Sequence, residues 1–244
     1  MIEAAIAAGF EKFGFSSHST MPLDSEWNVG PEKVRDYIRE VRSLAEEYRD
    51  RIRIYCALEA DFIPGRCTPD RSAYASLGLD YLIGSLHGVV APNGEYLCVD
   101  HTPEILEDGL RRLFGGDIRS LIVNYHELLR EMVTKYDFDV IGHPDLYRKY
   151  NLKHPLFDET SDWYRAELVK SADAIAASGK IVEVNTGAIG RKWRDDAYPS
   201  DEFRTLLRER GVKFILDSDT HSVDSVDAGY AKYLGAEDYV DFPR

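Results

Sequence analysis

Only three cysteines occur in 244 residues (Cys56, Cys67 and Cys98), and no two share a CxxC spacing. That scarcity excludes a disulfide framework or a thiolate zinc site and leaves free, reduced thiols as the expectation. Positive charge is also short, with 30 Lys and Arg against 43 Asp and Glu and a net charge of −13. A broad nucleic-acid-binding face needs a basic surface, so no nucleic-acid partner is expected. No stretch approaches the roughly 20 apolar residues of a membrane span, and no basic segment followed by an apolar run opens the chain. These absences point to a soluble, cytoplasmic protein without a membrane partner. Neither a Walker A loop nor G-x-G-x-x-G follows any apolar run, and there is no G-x-S-x-G elbow. Nucleotide binding and a serine-hydrolase triad are both disfavoured on that ground.

What is present is a regular alternation. "FEKFGFS", "IRIYCALEADF", "DYLIGSLHG", "FDVIGHPDL", "KIVEVNT" and "VKFILDSD" read as short strands rich in β-branched and aromatic residues. Amphipathic helical patterns lie between them. Val34, Tyr37, Ile38, Val41, Leu44, Ala45 and Tyr48 recur at helical spacing, as do Ile118, Leu121, Ile122, Tyr125, Leu128, Leu129, Met132 and Val133. Further helices are predicted from Asp158 to near Gly179, over 201–210 and over 224–234. Strands alternating with helices imply an α/β fold with a mainly parallel sheet, and nothing divides residues 1–244 into more than one domain. "IEAAIAAGF" is a good helix, yet no strand stands before it.

The strand ends carry the chemistry: His18, then Glu59 with Asp61, His87, His143 with Asp145, Glu183 with Asn185, and Asp217, Asp219 and His221. A parallel barrel brings every C-terminal strand end to one face, whereas an open doubly wound sheet gathers ligands only at its switch point. An even distribution over six endings therefore favours a barrel with a polynuclear metal site. Imidazole plus carboxylate without thiolate suits Zn, Mn or Fe in a hydrolytic centre. Asp219 and His221, two residues apart, can reach one cluster. Asp61 and Asp145 are expected to orient neighbouring histidines. His101, His126 and His154 fall in loops or helices and are expected at the surface.

"FSSHS", "ALEADF", "GSLHG", "IGHPDL", "EVNTGA" and "DSDTH", in this order, resemble the PHP (polymerase and histidinol phosphatase) superfamily, and most closely its histidinol-phosphatase branch. The resemblance covers essentially the whole chain. It implies a distorted (β/α)7 TIM-like barrel holding up to three divalent metals, and hydrolysis of L-histidinol phosphate, a small phosphate ester of histidine biosynthesis, through a metal-bridging hydroxide. Carried over by position, it makes Glu59 a bridge between two metals, with His87 and His143 on one of them. Asp219 serves a second metal, and His18 with His221 a third. Glu59, Asp219 and His221 become the catalytic set, and Arg148 and Arg191 would hold the phosphate. The family opens with a first strand bearing H-x-H and a further histidine, none of which precedes the helix here. On the resemblance the first strand is missing, fewer metals are held, and a seam is exposed that invites association. Ser17 and Ala57 stand where the branch usually has aspartate and glycine. The same residues also fit a degenerate, inactive barrel, or a phosphoesterase for another ester.

Overall fold

A computed structural model describes residues 1–21, 27–237 and 239–243. Eight strands are described: β1 (Lys12–His18), β2 (Arg53–Asp61), β3 (Tyr81–Ser85), β4 (Gly88–Val90), β5 (Tyr96–Cys98), β6 (Val140–Ile141), β7 (Ile181–Asn185) and β8 (Phe214–Asp217). Six of them form one parallel sheet in the order β1-β2-β3-β6-β7-β8, while β4 and β5 make a separate antiparallel hairpin. Helices Val34–Glu47, Ile118–Lys135, Asp162–Ser178 and Asp201–Glu209 follow the predicted segments closely.

Local chemistry explains most boundaries. Asp117 accepts hydrogen bonds from the backbone N–H groups of Arg119 and Ser120, and the Ser200 hydroxyl accepts one from Phe203. Each satisfies a donor that a helix start leaves orphaned. Gly179, at φ 69°, ends the helix before it, as a C′ glycine does. Where expectation and structure differ, local residues decide. The helix expected from Asp158 starts at Asp162, because the Asp158 carboxylate turns back to the Thr160 backbone N–H. The helix expected over 224–234 shrinks to Tyr230–Tyr233, since Gly229 breaks it at φ 80°. Helix Pro103–Phe114 and the β4–β5 hairpin were not expected at all. The helix does carry a start signal, the Thr102 cap followed by Pro103.

The larger core packs helices Pro103–Phe114, Ile118–Lys135, Asp162–Ser178 and Asp201–Glu209 on the sheet, through Leu58, Leu82, Tyr125, Leu129, Leu168, Val182 and Phe203 among others. A smaller cluster of Ile2, Ala5, Val41, Ile54 and Cys56 lies beneath β1 and β2. Register levels the strand ends: His18 pairs with Glu59, Asp61 with Ser85, and Asn185 with Asp217. The sheet is curled, and β1 and β8 are its edges. Among the described residues no strand joins them, and a cavity of about 590 Å³ lies there, bordered by Phe13, Phe15, Tyr55, Tyr81, Leu216 and Asp217. At the N-terminal ends of the strands the tail crosses this gap. Tyr239 bridges Phe214, Phe242 packs on Tyr81, and the carbonyl of Pro243 accepts from Tyr55 and Lys12. No helix among the described residues is long and apolar enough to cross a membrane.

Candidate metal centre

Glu59, at the end of β2, is the hub. Its Oε1 lies 3.0 Å from His143 Nε2 and 3.3 Å from His87 Nε2, and its Oε2 lies 3.5 Å from His18 Nδ1. Three imidazole nitrogens from three other strand ends therefore converge on one buried carboxylate. Burial would raise the Glu59 carboxyl, but His18, His87 and His143 outweigh it and hold it well below the ordinary carboxylate range. Burial would likewise lower the His87 imidazole, yet Asp61 and Glu59 push it up to about 10. The cluster balances its carboxylates with protons, which a divalent ion would displace.

The donor set fits such an ion. His18 Nδ1, His143 Nδ1 and Asp61 Oδ2 are buried with no hydrogen-bond partner, a cost of about 1–3 kcal/mol each unless something binds there. Two trios bring their ligand atoms within 4.8 Å of one another: Glu59, His87 and His143, and His18, Asp61 and His87. Asp61 orients His87 as expected, 2.5 Å from its Nδ1. Asp145 does not orient a histidine. Its Oδ2 accepts from Arg148 and from the Ser200 backbone N–H. Glu183 takes the neighbouring role instead, because its Oε1 accepts the His143 backbone N–H at 2.8 Å and fixes that residue from below.

Asp219 and His221 stand apart from the trios. Asp219 adopts φ 43°, a left-handed conformation that aspartate tolerates better than most residues. Its Oδ2 accepts from Arg191 Nη2 at 3.0 Å, and Arg191 Nη2 also lies 3.4 Å from His221 Nδ1. Gly187 permits this approach: a Cβ there would collide with Arg191 Nη1 and sit 2.9 Å from Asp219 Oδ2. Asp217 lies deeper, and burial followed by the Asp219 charge raises it to about 6.

A second cavity, of about 280 Å³, opens over these residues and is lined by His18, His87, His143, Arg191, Asp219 and His221. The expected phosphate ligand Arg148 is not on it. Its guanidinium is 2% exposed and saturated by Glu159 (2.7 Å), Asp196 (2.6 Å) and Asp145 (3.1 Å). The short turn Leu146–Arg148 sends Arg148 inward and its neighbour Lys149 to the cavity, where Nζ donates to the carbonyl and carboxylate of Asp100. Two adjacent cations were visible in the sequence, and only the phase of this turn selects between them. His101, expected at the surface, is exposed but lines the same cavity beside Trp27. His126 is not at the surface. It is fully buried between Ser171 Oγ and the Tyr147 hydroxyl, and burial lowers it to about 3. His154 is partly exposed near Glu107, as expected.

A curled parallel α/β sheet whose strand ends deliver imidazoles and carboxylates to one cavity defines a TIM-like barrel with a metal-binding face. The chain belongs to the PHP family: the PHP domain matches residues 1–187. A probable histidinol-phosphatase of Deinococcus radiodurans is 30% identical over 231 residues, covering 94% of this chain and 82% of that protein. A solved structure from Listeria monocytogenes superposes with a TM-score of 0.83 at 19% identity, over 96% of this chain and 92% of that one. Another, from Lactococcus lactis in complex with Zn, L-histidinol and phosphate, gives 0.60 at 18% identity, over 98% and 86%. At such identities these two structures speak for the fold alone.

Proposed function

We propose that the chain, as a single barrel domain, is a divalent-metal-dependent phosphomonoesterase that hydrolyses L-histidinol phosphate to L-histidinol and inorganic phosphate. The observation that carries this reading is the convergence of three imidazole nitrogens on Glu59, with partnerless buried donors around it. The naming of its relatives as histidinol-phosphatases supports the substrate. Glu59, His87 and His143 hold one ion, with His18 beside them, and Asp219 and His221 complete the set toward β8. Zn, Mn or Fe fits these ligands. Bound ions supply charge neutralisation at the phosphoryl oxygens and a water acidified to near-neutral pKa.

The chain's own residues do the rest. Glu59 is held in its ionised form by the cluster, which suits it to be a ligand and not an acid. Arg191 and Lys149 border the cavity with the charge and the donors that a phosphate dianion needs. His221 Nδ1 lies 3.1 Å from the carbonyl of Asp219, an orientation that leaves Nε2 as the nitrogen able to serve as a ligand. Leu146, Ala188 and Tyr198 exclude water from the inner wall.

Phosphate release by the Mn- or Zn-loaded protein tests the reading, with L-histidinol phosphate set beside a small panel of other phosphate monoesters. Preferential hydrolysis of L-histidinol phosphate is expected. Preference for another ester contradicts the substrate, and no turnover of any ester with metal bound contradicts the activity.

A further inference from the structure

Once the ligand residues, Arg191, and the Lys149–Asp100 pair are set aside, the cavity wall consists of Trp27, His101, Leu146, Ala188 and Tyr198. Trp27 is the unusual member. Five large apolar side chains are exposed among the described residues (Trp27, Ile105, Leu152, Val223 and Leu234), and of these Trp27 alone lines the cavity. It is 47% exposed, and its ring meets the exposed His101 ring edge to face, with centroids 5.3 Å apart at 71°.

The chain beside each ring is anchored. Val29 donates its backbone N–H to the carbonyl of His18 at 3.0 Å, and Asn28 Nδ2 donates to the carbonyl of Ser19 at 2.5 Å. Trp27 is thereby tied to the end of β1, beside the metal cluster. His101 follows β5, between Asp100, which holds Lys149, and Thr102, which caps the next helix. His101 belongs to neither of the trios able to hold an ion. Two aromatic rings in edge-to-face contact at a cavity mouth offer large flat area and a quadrupole.

We propose that Trp27 and His101 are specificity-determining residues that form an aromatic wall for the ring of the substrate's alcohol portion. This inference rests on the phosphomonoesterase reading above and deepens it. The phosphate is drawn to Arg191, Lys149 and the ligand cluster, so the alcohol substituent extends along the remaining wall toward the mouth. The substrate class is a small phosphate monoester whose alcohol carries a flat heteroaromatic ring. A cavity of about 280 Å³ is at the small end of ligand pockets and suits such a molecule.

The test compares metal-loaded wild type with Trp27→Ala, Trp27→Phe and His101→Ala on two esters, L-histidinol phosphate and ethanolamine phosphate, which keeps the phosphate and ammonium but has no ring. Trp27→Ala is expected to lower kcat/KM for L-histidinol phosphate about tenfold, through KM, and to change ethanolamine phosphate less than about twofold. His101→Ala shifts the same ratio less, and Trp27→Phe restores most of it. Calorimetric binding of L-histidinol with inorganic phosphate present, weakened about tenfold in Trp27→Ala, reads the wall without turnover. Equal loss for both esters, or unchanged histidinol binding in Trp27→Ala, overturns the wall. A wild type that hydrolyses neither ester overturns the phosphatase reading, and histidinol binding then still decides the wall.

Discussion

Glu59, His87 and His143 stand at the ends of β2, β3 and β6, each hydrogen-bonded to a strand on both sides. His18, Asp219 and His221 stand at or just beyond the ends of β1 and β8, which have a strand on one side only. The burial follows. Every residue of β2 but Arg53 is buried, while every residue of β1 is only partly so. On the closed side two nitrogens, from His87 and His143, already meet one carboxylate at 3.3 Å or less. On the open side Asp219 is occupied by Arg191, and the His221 side chain is 59% exposed. Strands clamped from both sides hold ligands to the tolerance a metal demands, and edge strands leave theirs to find other partners.

The two arginines expected to hold phosphate test this contrast most severely. Arg148 lies behind the closed side with Asp145, Glu159 and Asp196; Arg194 still pairs with the last two, but Arg148→Ala leaves the fully buried Asp145 without its ion-pair partner and costs about 3–5 kcal/mol of stability. Arg191 pairs with Asp219 at the half-exposed open side, and Arg191→Ala is expected to leave urea stability within about 1 kcal/mol while raising KM for the phosphate ester. Equal urea midpoints for the two variants would break the comparison.

A smaller effect is expected at the ligands' supports. Asp61→Asn removes the carboxylate that orients His87 and is expected to weaken metal binding about 10- to 100-fold in chelator competition. His221→Ala, on the open side, is expected to weaken the tightest ion by less than about threefold, because His221 belongs to neither close trio. A His221 effect equal to that of Asp61 would contradict the preassembled closed side.

The smallest concerns the closed side's core. The folded pKa of His126 is depressed to about 3, below the unfolded value near 6.5. Between these values the unfolded chain binds more protons, so stability is lost as pH falls through that window, by up to about 1.4 kcal/mol per pH unit. His126→Gln is expected to flatten the slope in urea melts between about pH 7 and pH 5. Parallel slopes for the two proteins would contradict a neutral buried imidazole.

Much of this was legible in the sequence. The six parallel strands, the curl toward a barrel and the meeting of His18, Glu59, His87 and His143 follow from apolar runs ending in ligand residues. Three features were not legible, each for a physical reason. A single turn decides whether Arg148 or Lys149 faces the cavity, and turn phase is not encoded in hydrophobic periodicity. The β4–β5 hairpin is made of three-residue strands, too short to show alternation, and it is what delivers His101. His126 lies in a helix whose partner face, through Ser171 and Tyr147, comes from distant chain segments, so its burial is a tertiary fact.

The central claim is that the Glu59 cluster is the tight metal site of a phosphatase, and metal content per chain tests it most directly. The wild type, Glu59→Gln and the Asp219→Ala/His221→Ala double variant would be loaded, dialysed and measured by elemental analysis. The double variant is expected to keep about one divalent ion per chain, and Glu59→Gln to keep none. A Glu59→Gln protein that retains its metal, or a double variant stripped of it, would contradict the account.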